Sequence, residues 1–264
     1  MSPGLEVAVR MGCAALVFAG MALWEWRAPR RALPVGRKGR WFGNLGLLAI
    51  DIVAVKLLVP TAAVGVALIA AEHGWGLLPL FHVPFWAAVP LSIVALDLII
   101  YGQHLVFHRV PWLWRVHRTH HADVEIDVTT GVRFHPIEIL LSLGIKIAAV
   151  LALGAPATAV VLFEVLLNAT SMFNHSNVRL PPRLDRLARW LIVTPQMHEV
   201  HHSAERAETD SNFGFNLPWW DRLFGTYREK PAAGENVVIG LPAFRDVSER
   251  RIYRLLSQPF RKEA

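Results

Sequence analysis

The chain has 264 residues, enough for one large domain or two small ones, and 53% of them are hydrophobic. A mean hydropathy of +0.35 and only 21 acidic residues argue against a soluble globule and favour a membrane protein. The formal net charge is +6, but the basic residues lie between and after apolar runs and not on one stripe, which argues against nucleic-acid binding. The single cysteine, Cys13, excludes a disulfide framework and a cysteine-based metal site within one chain.

Apolar runs along the chain predict an all-α integral membrane protein with about four to five transmembrane or re-entrant helices. The runs cover residues 7–26, 45–71, 85–103, 137–153 and 157–174. The last two are separated by a turn at Gly154-Ala155-Pro156, and each is close to the lower limit of about 17 residues for a span. We therefore expect this hairpin either to cross the bilayer fully or only to dip into it.

The loop between the first two runs sets the predicted orientation. Residues 27–40 contain six basic residues and no acidic one, which places this loop in the cytoplasm. Residues 72–84 contain no Lys or Arg, as expected for an outside loop. Counting the runs from there places His104–Pro136, His175 and the C-terminal region on the cytoplasmic side, so we expect a cytoplasmic, histidine-rich helical cap.

Histidines are concentrated in one part of the chain and follow a regular spacing. Ten of the 12 lie between His104 and His202. They include one H-x-x-x-H pair and two H-x-x-H-H boxes, formed by His104 and His108, by His117, His120 and His121, and by His198, His201 and His202. Residues three and four apart lie on one face of a helix, so each box directs its imidazoles toward one point.

This pattern predicts metal binding, because imidazole suits iron, zinc, copper and nickel. A single zinc takes about three or four protein ligands, so eight or more imidazoles indicate two metal ions. The alternative is that the histidines are solvated or pH-sensing surface residues. The sequence leaves three roles open. His135 is either a packing residue or a hydrogen-bond donor to a metal ligand. Asp97 is either a hydrogen-bond partner of a ligand or an interfacial cap, and Glu199 is either such a partner or a solvent-facing residue.

Several stretches together resemble the fatty acid hydroxylase / sterol desaturase superfamily of membrane di-iron enzymes. They are His104-Leu-Val-Phe-His108, His117-Arg-Thr-His120-His121, Arg133-Phe-His-Pro136, Asn174-His-Ser-Asn177, Met197-His-Glu-Val-His-His-Ser203, Asp210-Ser-Asn-Phe-Gly214 and Trp220-Asp-Arg-Leu-Phe-Gly-Thr-Tyr227. The resemblance covers roughly residues 90–228. It predicts a division into N-terminal transmembrane helices (1–84), a catalytic domain similar to that family (85–230) and a C-terminal cytoplasmic tail (231–264).

The resemblance implies a di-iron, O2-dependent enzyme that hydroxylates or desaturates a sterol, fatty acyl chain, sphingolipid or ether lipid. The implied metal ligands are His104, His108, His117, His120, His121, His175, His198, His201 and His202. Many family members carry a further histidine near the position of His175, where this chain offers Ser171 and Arg179. The chain lacks a G-x-G-x-x-G fingerprint, so electrons are expected from a separate protein, ferredoxin-like or cytochrome b5-like with its reductase.

Two other functions fit a histidine-rich membrane protein. A zinc-dependent membrane hydrolase needs a general base, which Glu199 beside His198 offers, although the H-E-x-x-H motif is missing. A metal transport protein usually binds its ion near the middle of the membrane, whereas these histidines cluster at the ends of apolar runs.

Overall fold

The computed structural model describes residues 3–262, which contain no β-strand, and 68% of the structure is helical. The α-helices are α1 (Pro3–Arg27), α2 (Arg37–Leu58), α3 (Ala62–His73), α4 (Leu77–Leu80), α5 (Phe85–Arg109), α6 (Pro111–His121), α7 (Pro136–Leu153), α8 (Ala157–Asn174), α9 (Pro182–Ala188), α10 (Pro195–His201), α11 (Arg206–Thr209), α12 (Trp219–Leu223) and α13 (Ile252–Ser257). Short 3-10 turns lie at Thr130–Val132, Gly234–Asn236, Val247–Arg250 and Gln258–Phe260.

Five segments are long and apolar enough to cross a membrane, which confirms the prediction of an all-α integral membrane protein. They are Val7–Arg27, Arg37–Leu80, Phe85–Arg109, Pro136–Leu153 and Ala157–Asn174. The last two, α7 and α8, have 18 residues each. At a rise of 1.5 Å per residue each is about 27 Å long, close to the thickness of a hydrocarbon core, so the hairpin is long enough to cross.

Two of these segments differ in detail from the apolar runs. The run at 45–71 is not one helix, because α2 ends at Leu58 and α3 begins at Ala62, with Pro60 between them. The helix that contains the third apolar run, α5, extends beyond residue 103 to Arg109. The H-x-x-x-H pair therefore lies on α5 itself and not in a separate polar segment. After Pro90 no proline interrupts this helix until Pro111, which begins α6.

The membrane bundle has an apolar core made by α3, α5, α7 and α8. Leu96, Val150, Val160 and Phe163 are among its fully buried members. α1 packs on the outside of α8. The bundle also encloses an ion-paired group, because the Glu164 carboxylate on α8 binds Lys146 of α7 at 2.5 Å and Arg10 of α1 at 2.7 Å.

The cap is built by α6, by the loop that follows it and by α9–α13, at the end of the bundle where α5 and α8 finish. The C-terminal segment is integrated into it. Arg118 donates to the carbonyl of Gln258 at 2.6 Å, and the Gly240 amide donates to the carbonyl of His202 at 3.0 Å. The division into residues 1–84, 85–230 and 231–264 stays a prediction.

Candidate metal centre

Nine histidine side chains converge at the junction between the bundle and the cap, and all nine are buried. Their ring nitrogens form two groups, and within each group the candidate ligand atoms lie within 4.8 Å of one another. The five-histidine group contains His104, His108, His117, His121 and His201, and the four-histidine group contains His120, His175, His198 and His202. These are the nine residues that the sequence predicted as ligands; that they bind metal stays a prediction.

Each H-x-x-H-H box contributes to both groups. On α6 the first and last histidines of the box join the five-histidine group and the middle one joins the other; at α10 the assignment is reversed. The reason is helical geometry, since residues four apart share a face and the residue between them is rotated toward a neighbouring point. The two groups are in contact, because the rings of His121 and His202 stack with centroids 4.6 Å apart.

Backbone carbonyl groups fix the protonation of four rings. The Nδ1 atoms of these rings lie 2.7 to 3.0 Å from carbonyl oxygens. The pairs are His104 with Phe213, His120 with Arg133, His175 with Ser171 and His201 with Ser211. A carbonyl only accepts hydrogen bonds, so Nδ1 carries the proton and Nε2 keeps a free lone pair.

With these tautomers, lone pairs face each other across the site. The Nε2 atoms of His104 and His117 are 3.1 Å apart, and those of His120 and His175 are 3.0 Å apart. His117 follows the same rule, because its Nδ1 lies 2.6 Å from the Glu138 carboxylate. Two neutral nitrogens facing in this way repel each other unless a cation binds to both.

Between His120 and His175, protonation does not supply that cation. Burial lowers the pKa of His175 to about 4 and that of His201 to about 3, and it holds the pKa of His120 well below the ordinary histidine value. These three rings are therefore neutral near pH 7, which is the state that binds metal. The Nε2 atoms of His108 and His201 are buried without a hydrogen-bond partner, which is costly in a protein interior. The donor set thus fits metal ions, and nine imidazoles suit two of them.

Two carboxylates hold rings of the candidate ligands, a role that the sequence did not assign to them. Glu138 accepts from Nδ1 of His117 at 2.6 Å, and Asp210 lies 3.2 Å from Nδ1 of His108. A carboxylate on the far nitrogen of a metal-binding histidine orients the ring and increases its basicity. The sequence did contain a signal for Glu138, which is the only acid of a predominantly apolar helix and lies in its first turn.

Asp97, Glu199 and His135, whose roles the sequence left open, bind groups other than the nine clustered histidines. Asp97 accepts from Trp220 Nε1 at 2.8 Å and from the Asn216 side chain at 2.8 Å. Glu199 is buried and forms ion pairs with Arg30 at 2.5 Å and Arg31 at 2.7 Å.

His135 caps the start of α7 and contacts the C-terminal segment. Its Nδ1 accepts from the Ile137 amide at the start of α7, and its Nε2 donates to the carbonyl of Leu256. The two positions near His175 do not supply a further ligand. The Ser171 hydroxyl donates to the carbonyl of Gly131 at 2.8 Å, and the side chain of Arg179 is 57% exposed.

A buried ionic network holds the loop between the α6 box and α7. Arg40 of α2, which is fully buried, binds both carboxylate oxygens of Asp123 and one of Asp127, at 2.6 to 2.8 Å. Arg133 donates to the side chain of Asn44 on α2 at 2.8 Å and to the Thr119 carbonyl at 2.7 Å. The carbonyl of Arg133 in turn accepts the Nδ1 proton of His120. The network thereby connects α2 to the orientation of a ring in the four-histidine group.

The fold and the site define a membrane protein with a buried polyhistidine centre, and comparison with known proteins identifies its family. The sequence profile of the fatty acid hydroxylase family matches residues 89–226, just over half of the chain. The chain belongs to that family. The match includes all nine clustered histidines and the loop at 210–226.

Individual relatives are lipid-modifying enzymes. The chain is 31% identical over 160 residues to an ornithine lipid hydroxylase, OlsE, of Rhizobium tropici, which covers 57% of this chain and 47% of that protein. It is 27% identical over 177 residues to human alkylglycerol monooxygenase (63% and 36%) and 28% identical over 166 residues to human cholesterol 25-hydroxylase (61% and 57%). The chain thus spans less than two thirds of the length of each of these relatives. No solved structure matches the chain.

Proposed function

We propose that this protein is a membrane-bound oxidoreductase that uses two irons and O2 to hydroxylate or desaturate a C–H bond of a lipid. The observation that carries the proposal is the presence of two buried histidine groups, in each of which ring nitrogens with free lone pairs face one another. The family and the relatives add the lipid, since the proteins named above act on an ornithine lipid, an alkylglycerol and cholesterol.

Iron is favoured over zinc because the reaction needs a redox metal. Bound at the two histidine groups, iron supplies the reduction of O2, which zinc cannot perform. Hydroxylation places one oxygen atom of O2 in the product and reduces the other to water, and this requires electrons that the lipid does not provide. We therefore propose an external electron donor, ferredoxin-like or cytochrome b5-like with its reductase.

The protein's own groups hold and protect the centre. The carbonyls of Phe213, Arg133 and Ser211 keep three rings in the tautomer that binds metal through Nε2. The cap covers the rings from the aqueous side, and all nine are at most 3% exposed. The helices α5 and α8 of the apolar bundle end at the centre, and such apolar surroundings suit a lipid substrate.

We propose that the cap and the histidine groups lie on the cytoplasmic side. The support is the charge of the loop at 27–40, in which Arg27 and Lys38 are exposed. Part of that charge has a structural use, because Arg30, Arg31 and Arg40 pair with buried acids of the cap.

The two alternatives receive less support. The zinc hydrolase needs Glu199 as a general base, but its carboxylate is already held in ion pairs with Arg30 and Arg31. A transport site is expected near the middle of the membrane, whereas these histidines lie at the end of α5 and α8 and in the cap.

Elemental analysis of detergent-purified protein from iron-supplied cells tests the proposal. We expect about two irons per chain, a strong decrease in His120→Ala and His201→Ala, and no change in His73→Ala, whose ring is exposed. The iron-loaded protein is then expected to consume O2 in the presence of a reductant and a lipid substrate. Stoichiometric zinc that iron does not replace, without O2 consumption, would contradict the proposal.

A further inference from the structure

The cap carries a continuous apolar surface that no part of the described chain covers. It is formed by residues 182–191 and 219–224 and is called here the Trp190 surface. Its large exposed side chains are Leu184 (51%), Leu187 (69%), Trp190 (58%), Leu191 (69%), Trp219 (42%), Leu223 (69%) and Phe224 (55%). Contiguous exposed apolar patches of this kind mark interaction surfaces on proteins.

The two segments are joined directly and form one surface. Trp219 Nε1 donates to the carbonyl of Trp190 at 2.7 Å. The guanidinium of Arg222 lies over the Trp190 ring, 4.2 Å from its centroid, and donates to the carbonyl of Arg189 at 3.2 Å.

Contacts with α5 place this surface at the boundary of the membrane. Trp220 Nε1 donates to the Asp97 carboxylate at 2.8 Å, and the ring of Phe224 stacks on that of Tyr101 with centroids 5.6 Å apart. Both partners lie within the membrane-crossing segment Phe85–Arg109. These contacts hold the second segment of the surface against α5, so the surface lies next to the bundle and not on the far side of the cap.

The charges around the surface suit anionic headgroups. Arg183 and Arg186 are exposed on α9, and Arg222 is half-buried beside Trp190. Of the two acids in these segments, Asp185 is bound by Arg189 at 2.8 Å and by the Thr194 hydroxyl at 2.6 Å, and Asp221 is buried and accepts the amides of Phe213 and Gly214. Tryptophan, leucine and arginine together on one surface are typical of segments that lie in the plane of a membrane interface.

We propose that the Trp190 surface is embedded in the lipid leaflet on the side of the histidine groups, with its arginines at the level of the phosphates. The occupant of the surface is thus the bilayer and not a second protein. This inference goes beyond the proposed activity and does not depend on it.

The proposal is tested with spin labels at single cysteines. Because Cys13 is the only cysteine, Cys13→Ser provides the background for Leu187→Cys, Leu191→Cys and Leu223→Cys, each labelled with a nitroxide and reconstituted in phosphatidylcholine–phosphatidylglycerol vesicles. Collision rates are measured with O2, which concentrates in lipid, and with a nickel chelate, which stays in water. Val238→Cys is the matched control, since Val238 is 56% exposed on the cap beside Ala204, whose amide donates to its carbonyl.

We expect the ratio of O2 to nickel collisions to be severalfold higher at positions 187, 191 and 223 than at position 238. Nickel collisions at all three positions equal to those at 238 would overturn the proposal, because the surface would then lie in water. Immobile labels that neither reagent reaches would also overturn it and would indicate a covering protein. Unchanged metal content relative to Cys13→Ser shows that each variant is folded.

Discussion

At the scale of single residues, the hydrogen bonds on the far nitrogens of the imidazoles decide what this site can bind. His104 and His201 direct their Nδ1 protons to the carbonyls of Phe213 and Ser211, which lie in one short loop. That loop is held in turn by Asp221, whose carboxylate accepts the amides of Phe213 and Gly214 at 2.8 and 2.9 Å. The lone pairs are therefore directed before any ligand arrives.

A substitution of Glu138 tests whether the groups bound to the far nitrogens of the rings control metal binding. In Glu138→Gln the amide oxygen still accepts from Nδ1 of His117, so the tautomer is kept, but the negative charge that increases ring basicity is lost. We expect metal affinity to fall by about 10- to 100-fold. Competition with a chelator of known affinity measures this change. Glu235→Gln, at a side chain that is 78% exposed, is the control, and equal affinities in the two variants would contradict the prediction.

The sequence predicted the residues of the site but not their partners. The nine histidines follow from helical spacing, which is a local property of the chain. Their hydrogen-bond partners are distant in sequence, as with His104 and Phe213, and three of the four carbonyl acceptors lie in loops whose course the periodicity does not determine. Any residue type offers a carbonyl, so no residue identity signals these contacts.

At the scale of elements, Arg40 connects the membrane helix α2 to the loop after the α6 box. Replacing it with methionine leaves the buried carboxylates of Asp123 and Asp127 without their guanidinium partner. Removing one member of a buried ion pair costs about 3 to 5 kcal/mol, so we expect Arg40→Met to unfold at a clearly lower temperature in detergent.

Lys38→Met is the matched control for this variant, because Lys38 is exposed and lies two residues away on the same helix. Thermal unfolding followed by circular dichroism compares the two proteins. A similar melting temperature for both variants would show that the network contributes little to stability.

Gly131 allows the loop before α7 to approach α8 closely. A Cβ atom at this position would lie 2.6 Å from the Ser171 carbonyl oxygen, which also accepts the Nδ1 proton of His175. We therefore expect Gly131→Ala to destabilise the protein by about 1 to 3 kcal/mol and to reduce metal content. Gly144→Ala is the control, since a Cβ there meets no atom within 4 Å. Equal metal content and unfolding temperature in both variants would contradict the prediction.

Apolar runs in the sequence do not determine where every helix ends or what the charged residues bind. A run of apolar residues does not distinguish one helix from two, and only the position of Pro60 indicated the break between α2 and α3. Arg30, Arg31 and Arg40 were interpreted from the sequence as a topological signal alone. Their ion pairs with Glu199 and Asp123 join elements more than 80 residues apart, and charge counting does not reveal such pairings.

At the scale of the whole molecule, the charges are distributed so that few ionic groups meet lipid. Glu164 binds Lys146 within the bundle, and Glu199 and Asp123, which are buried in the cap, bind arginines. The loop at 72–84, at the opposite end of the bundle, has no Lys or Arg, whereas the cap and its connecting loops are basic. By the positive-inside rule the cap should lie in the cytoplasm.

Cysteine labelling in cells tests this orientation. In the Cys13→Ser background we expect a membrane-impermeant maleimide to label Leu77→Cys in intact cells and Val238→Cys only after the membrane is permeabilised. Both positions carry exposed side chains, 51% and 56%, so a difference between them reports the side of the membrane and not burial. The reverse result would place the histidine groups outside. An electron donor from the cytoplasm could not then reach them, and the proposed source of electrons would be wrong.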